Sequence, residues 1–384
     1  MPRAGAGEIV VRVRAVAVNP VDAVPGLARW VIAPWLRYST VLGSDVAGDV
    51  VDVVDVGDAV TRFAVGDRVL GHALSFEKRH NRPTEGAFQN HTVLCAHMTS
   101  PIPADVSYEK AAVVPLGVST AACGLFESHL LALTLPHVDA ESTGQSVVVW
   151  GASTSVGSNA IQLAAHAGYR VLATASPHNF DYVQGLGAEK VHDYHSPDAV
   201  PDLLRSLHGH QLAGVLAIGA GSICPRVDIA AGTDGARAVA CTTPHIPASW
   251  QRRQARRRGV RVGSIWGGTP ADNEVGPAIY QTFLPTALAS GAFRPAPPPH
   301  VTVNRPGFVG RSDSTEGGFM PAPRKYPEEL RERAKRMVAE AREQDPSLSL
   351  HAAVTRIGPR VGVQPDTLRP GVGKPRSTTV SVRG

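Results

Sequence analysis

The 384 residues are enough for two or three domains, and a composition of 43% hydrophobic and 5% aromatic residues excludes a disordered chain and favours an Ala/Val-rich α/β protein. The net charge of +5 comes from the end of the chain: residues from Met320 onward include 13 Lys and Arg and 7 Asp and Glu. Of the totals of 38 and 33, residues 1–319 therefore contain 25 basic and 26 acidic residues. The net charge thus indicates no nucleic-acid partner for the main body. No apolar run approaches the ~18 residues of a membrane span, and the N-terminal sequence does not have the pattern of a signal peptide. The four cysteines are scattered along the chain, which predicts a cytoplasmic protein without a structural metal.

The first part of the chain, from residue 8 to about 110, is predicted to be rich in β-strands. Apolar and polar residues alternate in EIVVRVRAVAV, as they do in a strand with one buried face. Short Val-rich runs follow in VAGDVVDVVDVGDAVTRFAVGDRVLG, where Gly-Asp pairs separate them. Such pairs are typical of hairpin turns, so the pattern predicts antiparallel strands.

From Ser146 onward, strands and helices are predicted to alternate. Short apolar strands are predicted at SVVVWG and YRVLATAS, and between them SVGSNAIQLAAHAG has helical spacing. The predicted buried face of that helix consists of Ile161, Leu163, Ala164 and Ala167. Further strands are predicted at KVHDY, GVLAIGAG, RAVACTTP and VRVGSIWGG. This alternation indicates the α/β class with a doubly wound parallel sheet covered on both faces.

The turn between the first strand and the first helix of this series is a candidate dinucleotide site. A pyrophosphate needs a tight turn, close approach of the backbone and the N–H groups of a helix N-terminus. The candidate cofactor-binding residues are Gly151, Ser153, Thr154, Ser155, Val156 and Gly157. Two of them, Thr154 and Ser155, stand where the dinucleotide fingerprint usually has a central glycine. A plain connection between strand and helix is therefore the alternative interpretation.

The end of the second strand of the series indicates which dinucleotide would bind. An NAD site normally has Asp or Glu there, because a carboxylate holds the ribose 2′-hydroxyl. Here the sequence is ATASPHNF, in which Thr174, Ser176 and Asn179 offer neutral hydrogen-bonding groups. A 2′-phosphate meets no carboxylate in this stretch, which favours NADPH. An ordinary polar loop is the alternative, since no arginine accompanies these residues.

Several motifs occur in an order that resembles one known family. They are AVNPVD, GSDVAGDVV, FAVGDRVLG, GAFQ, PLGVSTAACGL and GASTSVGSNAIQLA. In this order they resemble the medium-chain dehydrogenase/reductases, and within them the zinc-independent quinone oxidoreductases and trans-enoyl reductases. The resemblance runs from about residue 7 to residue 303. It implies a β-rich GroES-like substrate domain over residues 1–125 and a Rossmann NADPH domain over residues 126–303.

The resemblance also implies roles for particular residues. Asn19 and Thr120 would lie near the nicotinamide, the 151–157 loop would hold the pyrophosphate, and Ser176, Asn179 and Tyr194 would lie near the 2′-phosphate. The substrate would be a small enone, activated alkene or quinone that receives a hydride from NADPH. No proton donor is identified, because Ala23, Val24 and Pro25 follow the NPVD motif where some relatives have Tyr or Lys. A homodimer is left open.

A zinc site is not expected. A catalytic zinc takes three protein ligands from Cys, His and acidic residues. Where zinc enzymes of the family have Gly-His-Glu, this chain has Gly43, Ser44 and Asp45, and its first cysteine is Cys95. The histidines of this region show no ligand spacing, and core or solvated histidines are the preferred interpretation of His72, His80, His91 and His97.

Both ends of the family pattern are expected to be incomplete here. The substrate domain is predicted to be truncated at its N-terminus, and the Gly/Ser-rich residues 304–319 are predicted to be a linker. Residues 320–369 are predicted to form a short α-helical tail, and their sequence resembles the helix-turn-helix of insertion-sequence transposases. Residues 370–384 are predicted to be disordered. We do not expect this tail to bind DNA. Two alternatives remain: a DNA-binding transposase fragment, and a reductase relative that binds coenzyme without catalysis.

Overall fold

A computed structural model describes residues 1–23, 33–36, 39–53, 62–219, 223–242 and 249–301 of the chain. These residues lie in one compact unit, Met1–Thr302. The predictions of a linker, a helix-turn-helix fragment and a disordered tail fall on residues 304–384, outside the described residues. Within the described ranges, no helix is both long and apolar enough to cross a bilayer.

The N-terminal part folds around an antiparallel sheet, as the alternating sequence predicts. Its strands are β1 (Glu8–Ala17), β2 (Asp45–Val53), β3 (Arg68–His72), β4 (His91–Cys95) and β5 (Thr99–Pro101). Within the described residues, their order across the sheet is β4-β1-β2-β3-β5. The alternating side chains of β1 and β2, including Ile9, Val11 and Val46, pack into one buried cluster.

The second sheet is parallel. Its strands are β6 (Gln145–Trp150), β7 (Arg170–Ala175), β8 (Lys190–Asp193), β9 (Gln211–Ala217), β10 (Ala238–Cys241) and β11 (Arg261–Ser264). In the described part of the chain, their order is β11-β10-β9-β6-β7-β8, and all neighbours are parallel. The central strands are buried on both faces and consist of continuous apolar runs, as parallel strands covered by helices require. The prediction of a doubly wound parallel sheet beside a β-rich domain is confirmed.

Helices connect and cover these strands. They are α1 (Tyr108–Ala112), α2 (Pro115–Phe126), α3 (Ser155–Ala165), α4 (Phe180–Gln184), α5 (Ala199–Leu207), α6 (Cys224–Gly232), α7 (Ser249–Arg257), α8 (Val275–Pro277) and α9 (Leu284–Ala289), with a π-helical segment, Ala278–Phe283, between the last two. The predicted buried face of α3 is confirmed: Ile161, Leu163 and Ala164 are fully buried, and Ala167 just beyond the helix is also buried.

Helix α2 contacts the antiparallel sheet and packs against the start of α3, at the turn predicted to bind a dinucleotide. A Cβ atom at Gly117 would lie 2.6 Å from the Oγ of Ser155 and 2.7 Å from the Nδ2 of Asn159. Only glycine therefore lets α2 pack this closely against the first turn of α3. The chain also reverses its direction of winding between β6 and β9, and ligands of open α/β sheets bind at the carboxyl ends of the strands at such a point.

Candidate active site

The predicted pyrophosphate turn has the required geometry. Gly151 has a φ of +85°, and a Cβ atom there would lie 2.7 Å from the carbonyl oxygen of Ile218. A Cβ atom at Gly157 would lie 2.4 Å from the carbonyl oxygen of Gly151. Both positions thus require glycine, and together they let the chain turn sharply from β6 into α3.

Thr154 caps helix α3 at this turn. Its Oγ1 accepts a hydrogen bond from the N–H of Gly157 at 3.1 Å and donates one to the carbonyl oxygen of Gly151 at 2.8 Å. Ser153, Ser155 and Val156 are partly buried around the same helix end. The first N–H groups of a helix have no partner within the helix, and its dipole favours negative charge there. The turn is therefore suited to a pyrophosphate.

The residues predicted to lie near a 2′-phosphate are found at the ends of β7 and β8. The Oγ of Ser176 and the hydroxyl of Tyr194 are 3.1 Å apart, and Tyr194 is 39% exposed. The Nδ2 of Asn179 is 3.2 Å from the Nε2 of His178. The structure thus brings Ser176 into contact with Tyr194 and places Asn179 in the short helical turn that follows Ser176.

Thr174 has a supporting position. Its side chain is fully buried, and its Oγ1 accepts a hydrogen bond from the N–H of Gly151 at 3.1 Å. The sequence interpretation missed two neighbours of this corner, Asp193 and His195. The Oδ1 of Asp193 accepts the N–H of His195 at 2.9 Å, and the ring of His195 packs on Tyr194 with centroids 4.0 Å apart. The motif KVHDYH contains both residues but gives no local sign of this contact.

At the other end of the site, Asp45 connects Asn19 to helix α2. The Nδ2 of Asn19 donates to one carboxylate oxygen of Asp45 at 2.7 Å, and the N–H of Leu116 donates to the other at 2.6 Å. Asp45 is fully buried, and this desolvation raises its pKa to about 7, although the two hydrogen bonds oppose the shift. Burial also raises the pKa of Asp22, which accepts the backbone N–H of Asn19 at 2.8 Å.

Thr120 contacts Leu116, the residue of α2 whose N–H donates to Asp45. Its Oγ1 donates to the carbonyl oxygen of Leu116 at 2.7 Å. A Cβ atom at Gly267 would lie 2.5 Å from that Oγ1, so the loop after β11 passes directly over Thr120. Asp45 therefore links Asn19 to the N–H of Leu116, and Thr120 contacts the carbonyl oxygen of the same residue, although Asn19 and Thr120 are 101 positions apart in the chain.

A chain of buried hydrogen bonds lies behind these residues. The hydroxyl of Tyr280 donates to the carbonyl oxygen of Pro115 at 2.8 Å, so it accepts from Ser119 at 2.8 Å. Ser119 in turn accepts from the Nδ1 of His72 at 3.0 Å, which assigns the proton of neutral His72 to Nδ1. Burial lowers the pKa of His72 to about 4, with the charge of His80 adding to the effect, and burial raises the pKa of Tyr280. His72 is thus a neutral core residue.

A cleft opens between the loop after β3 and the loop after β11. Its volume is about 270 Å³, and it is lined by Trp35, Glu77, Lys78, Arg79, Trp266 and Asp272. The Nε1 of Trp266 donates to the Oε2 of Glu77 at 2.7 Å, and its ring packs against those of Phe76 and Trp35. The sequence interpretation missed this cleft, because Glu77 and Trp266 are 189 positions apart.

The metal-ligating residue types do not converge in the described part of the chain. No group of three or more His, Cys, Asp or Glu side chains lies close enough there to hold a metal ion. The expectation of a zinc-free site stays a prediction.

Comparison with known proteins gives consistent relatives. A model of the alcohol dehydrogenase GroES-like domain matches residues 5–104. A dehydrogenase of Monascus ruber, pigH, is 43% identical over 316 residues, which cover 77% of this chain and 85% of that protein. A trans-enoyl reductase of Aspergillus japonicus, himH, is 35% identical over 300 residues, covering 77% of this chain and 81% of that protein. The structure of a quinone oxidoreductase from Pseudomonas syringae pv. Tomato DC3000 has a TM-score of 0.57 at 25% identity and covers 77% of this chain and 83% of that one.

Proposed function

Because the chain belongs to the medium-chain dehydrogenase/reductase superfamily, we propose that this oxidoreductase reduces enones, activated alkenes or quinones with NADPH. The observation that carries the proposal is the turn from Gly151 to Gly157, where two glycines and the Thr154 cap leave room for a pyrophosphate at the N-terminus of α3. The substrate class is supported by relatives named for reduction of trans-enoyl groups and of quinones.

The choice of NADPH is supported by the corner at the end of β7. The residues from Ser176 to Asn179 include no acid, and the hydroxyls of Ser176 and Tyr194 face each other at 3.1 Å. Two hydroxyls can donate to a phosphate, whereas an NAD site uses a carboxylate to accept from the ribose. His178, which contacts Asn179, and His195, whose ring packs on Tyr194, bring further ring nitrogens to this corner.

The residues at the nicotinamide end would orient the two reactants. NADPH, when bound, supplies the hydride. Asp45 holds the Nδ2 of Asn19 and thereby fixes the direction of the amide oxygen, which can accept a hydrogen bond from a carboxamide. Thr120 presents its hydroxyl where the loop after β11 passes over α2. The cleft beside Glu77 and Trp266 would receive a flat conjugated substrate against the indole ring.

The helix-turn-helix resemblance of residues 320–369 is a separate hypothesis about the tail. These residues lie outside the described part of the chain and do not enter the proposed reaction.

Titration of the purified protein with NADPH and NADH, followed by nicotinamide fluorescence, tests the proposal. We expect tighter binding of NADPH, and we expect Ser176→Asp to weaken NADPH binding by about tenfold or more, because a carboxylate would face the 2′-phosphate. The affinity of the same variant for NADH is the internal control and should not fall. Binding of neither coenzyme would refute the proposal. Consumption of NADPH with carvone and menadione then separates a working reductase from a relative that only binds coenzyme.

A further inference from the structure

The cleft beside Trp266 is lined by a half-buried carboxyl group that the family motifs do not include. Glu77 is half-buried in the loop after β3, and its Oε2 accepts the indole N–H of Trp266 at 2.7 Å. We propose that Glu77 is the catalytic acid that gives a proton to the α-carbon of an enone or activated alkene bound in this cleft. The assignment rests on the proposed reductase function and supplies the proton donor that the sequence motifs lack.

The position of Glu77 relative to Thr120 supports this role. A Cβ atom at Gly268 would lie 1.9 Å from the carboxyl carbon of Glu77, and one at Gly267 would lie 2.5 Å from the Oγ1 of Thr120. Neighbouring Cα atoms are about 3.8 Å apart, so the carboxyl group and the hydroxyl lie against consecutive residues of one turn. The two glycines thus bring Glu77 and Thr120, the residue expected to lie near the nicotinamide, to the same short turn.

The surroundings of Glu77 favour its protonated form. Burial raises the pKa of Glu77, and the negative charge of Asp272 adds to this, while the hydrogen bond from Trp266 and the charge of His80 act in the opposite direction. The other charged groups lining the cleft are Lys78 and Arg79, which are exposed, and Arg79 pairs with Asp272 at 3.0 Å. An acid with a raised pKa retains its proton closer to neutral pH and can act as a donor there.

The proposed step balances in atoms and electrons. The β-carbon of the substrate gains a C–H bond from the hydride, and the π electrons of the C=C bond move to form an enolate. The α-carbon of the enolate then takes the proton of Glu77, so that a new C–H bond forms and the carboxyl O–H bond breaks. The coenzyme is oxidised by two electrons, the alkene is reduced by two, and Glu77 regains its proton from water. A quinone differs, because its reduced oxygen takes a proton directly from water.

The Glu77→Gln variant separates these two substrates. Glutamine keeps the shape of the side chain and an oxygen that can accept the Trp266 hydrogen bond, but it carries no transferable proton. We expect kcat for carvone to fall about 100-fold or more and kcat for menadione to change less than about threefold, because only the first substrate needs a proton on carbon. The matched control is Glu127→Gln, a buried carboxylate outside the cleft that accepts from Asn273 at 3.0 Å and should leave both rates unchanged.

A second measurement reports the proton donor itself. In deuterated water, the wild-type protein should place deuterium on one face of the α-carbon of reduced carvone. The Glu77→Gln variant should give a mixture of both faces, because water then protonates the released enolate. NADPH affinity, measured by fluorescence, should be unchanged in the variant. The wild-type rate with carvone should decline as pH rises through the pKa of Glu77, and this decline should be absent in the variant.

The outcomes distinguish this assignment from the proposed function. If the wild type reduces carvone and Glu77→Gln does so equally fast with the same facial selectivity, the assignment of Glu77 is wrong and the reductase function stands. Equal losses with carvone and menadione would show a structural role and would also overturn the assignment. A wild-type protein that oxidises NADPH with neither substrate would overturn both.

Discussion

The replacement Asp45→Asn tests whether burial shifts the ionisation of the Asp45 carboxyl group. Asp45 accepts hydrogen bonds from the Asn19 amide and the Leu116 N–H, and burial raises its pKa from 3.8 to about 7. The folded chain therefore binds a proton at Asp45 over a pH range in which the unfolded chain has released it. The resulting stability is present at low pH and is lost as pH rises from the unfolded pKa through the folded one.

The magnitude follows from this difference in pKa. At about 1.4 kcal/mol for each pKa unit, ionised Asp45 lowers the free energy of unfolding by about 4 kcal/mol once pH exceeds 7. Between pH 5 and pH 8 the change is about 3 kcal/mol. Asparagine does not ionise, but it presents one oxygen in place of two. One of the two donors then faces an NH₂ group, which costs about 1–3 kcal/mol at all pH values.

Urea unfolding of the wild type and of Asp45→Asn at pH 5 and pH 8 tests this calculation. We expect the variant to be less stable at pH 5, and we expect the difference to shift by about 3 kcal/mol in its favour at pH 8. The exposed Asp105→Asn is the control and should show no such shift. A difference that is the same at both pH values, within about 0.5 kcal/mol, would refute the raised pKa of Asp45 and the desolvation argument behind it.

Two further predictions concern other buried polar groups. Tyr280→Phe removes the hydroxyl that donates to the carbonyl oxygen of Pro115 and accepts from Ser119. We expect the free energy of unfolding in urea to fall by about 1–3 kcal/mol, and a fall below about 0.5 kcal/mol would contradict the buried chain of hydrogen bonds. Hydrogen bonds with Cys95 and, to a smaller extent, with Glu85 raise the pKa of His80 to about 10. Burial acts to raise the pKa of Glu85, but hydrogen bonds from His80 and Arg82 lower it to about 2. The His80 contribution is present below pH 6.5 and lost as pH rises toward 10, and the Glu85 contribution is present above pH 4.5 and lost as pH falls toward 2. In urea unfolding, Glu85→Gln should therefore lower the free energy of unfolding by about 3 kcal/mol at pH 6 and by progressively less toward pH 2. A loss of stability that does not change with pH would contradict the pairing of Glu85 with His80.

The turn between β6 and α3 and the end of β7 show what local sequence can and cannot predict. Gly151 and Gly157 were predicted correctly as positions in a strand-to-helix turn, because that turn depends on backbone conformation over seven residues. Thr174 is predicted to offer a hydrogen-bonding group to the coenzyme, but its side chain is fully buried and its hydroxyl accepts a hydrogen bond from the Gly151 N–H. The direction in which a side chain at the end of a strand points depends on the neighbouring strand, which the local pattern does not include.

The sequence by itself determined the two sheets and the turn that enters α3. Alternating residues such as those of β1, and apolar runs such as those of β6, encode strand burial within a few positions, and glycine encodes its own conformational freedom. Only the tertiary structure decided that Asp45 joins Asn19 to Leu116 and that Glu77 meets Trp266 in a cleft. The physical reason is that these contacts depend on how two sheets pack across helix α2, and no periodicity along the chain records that packing.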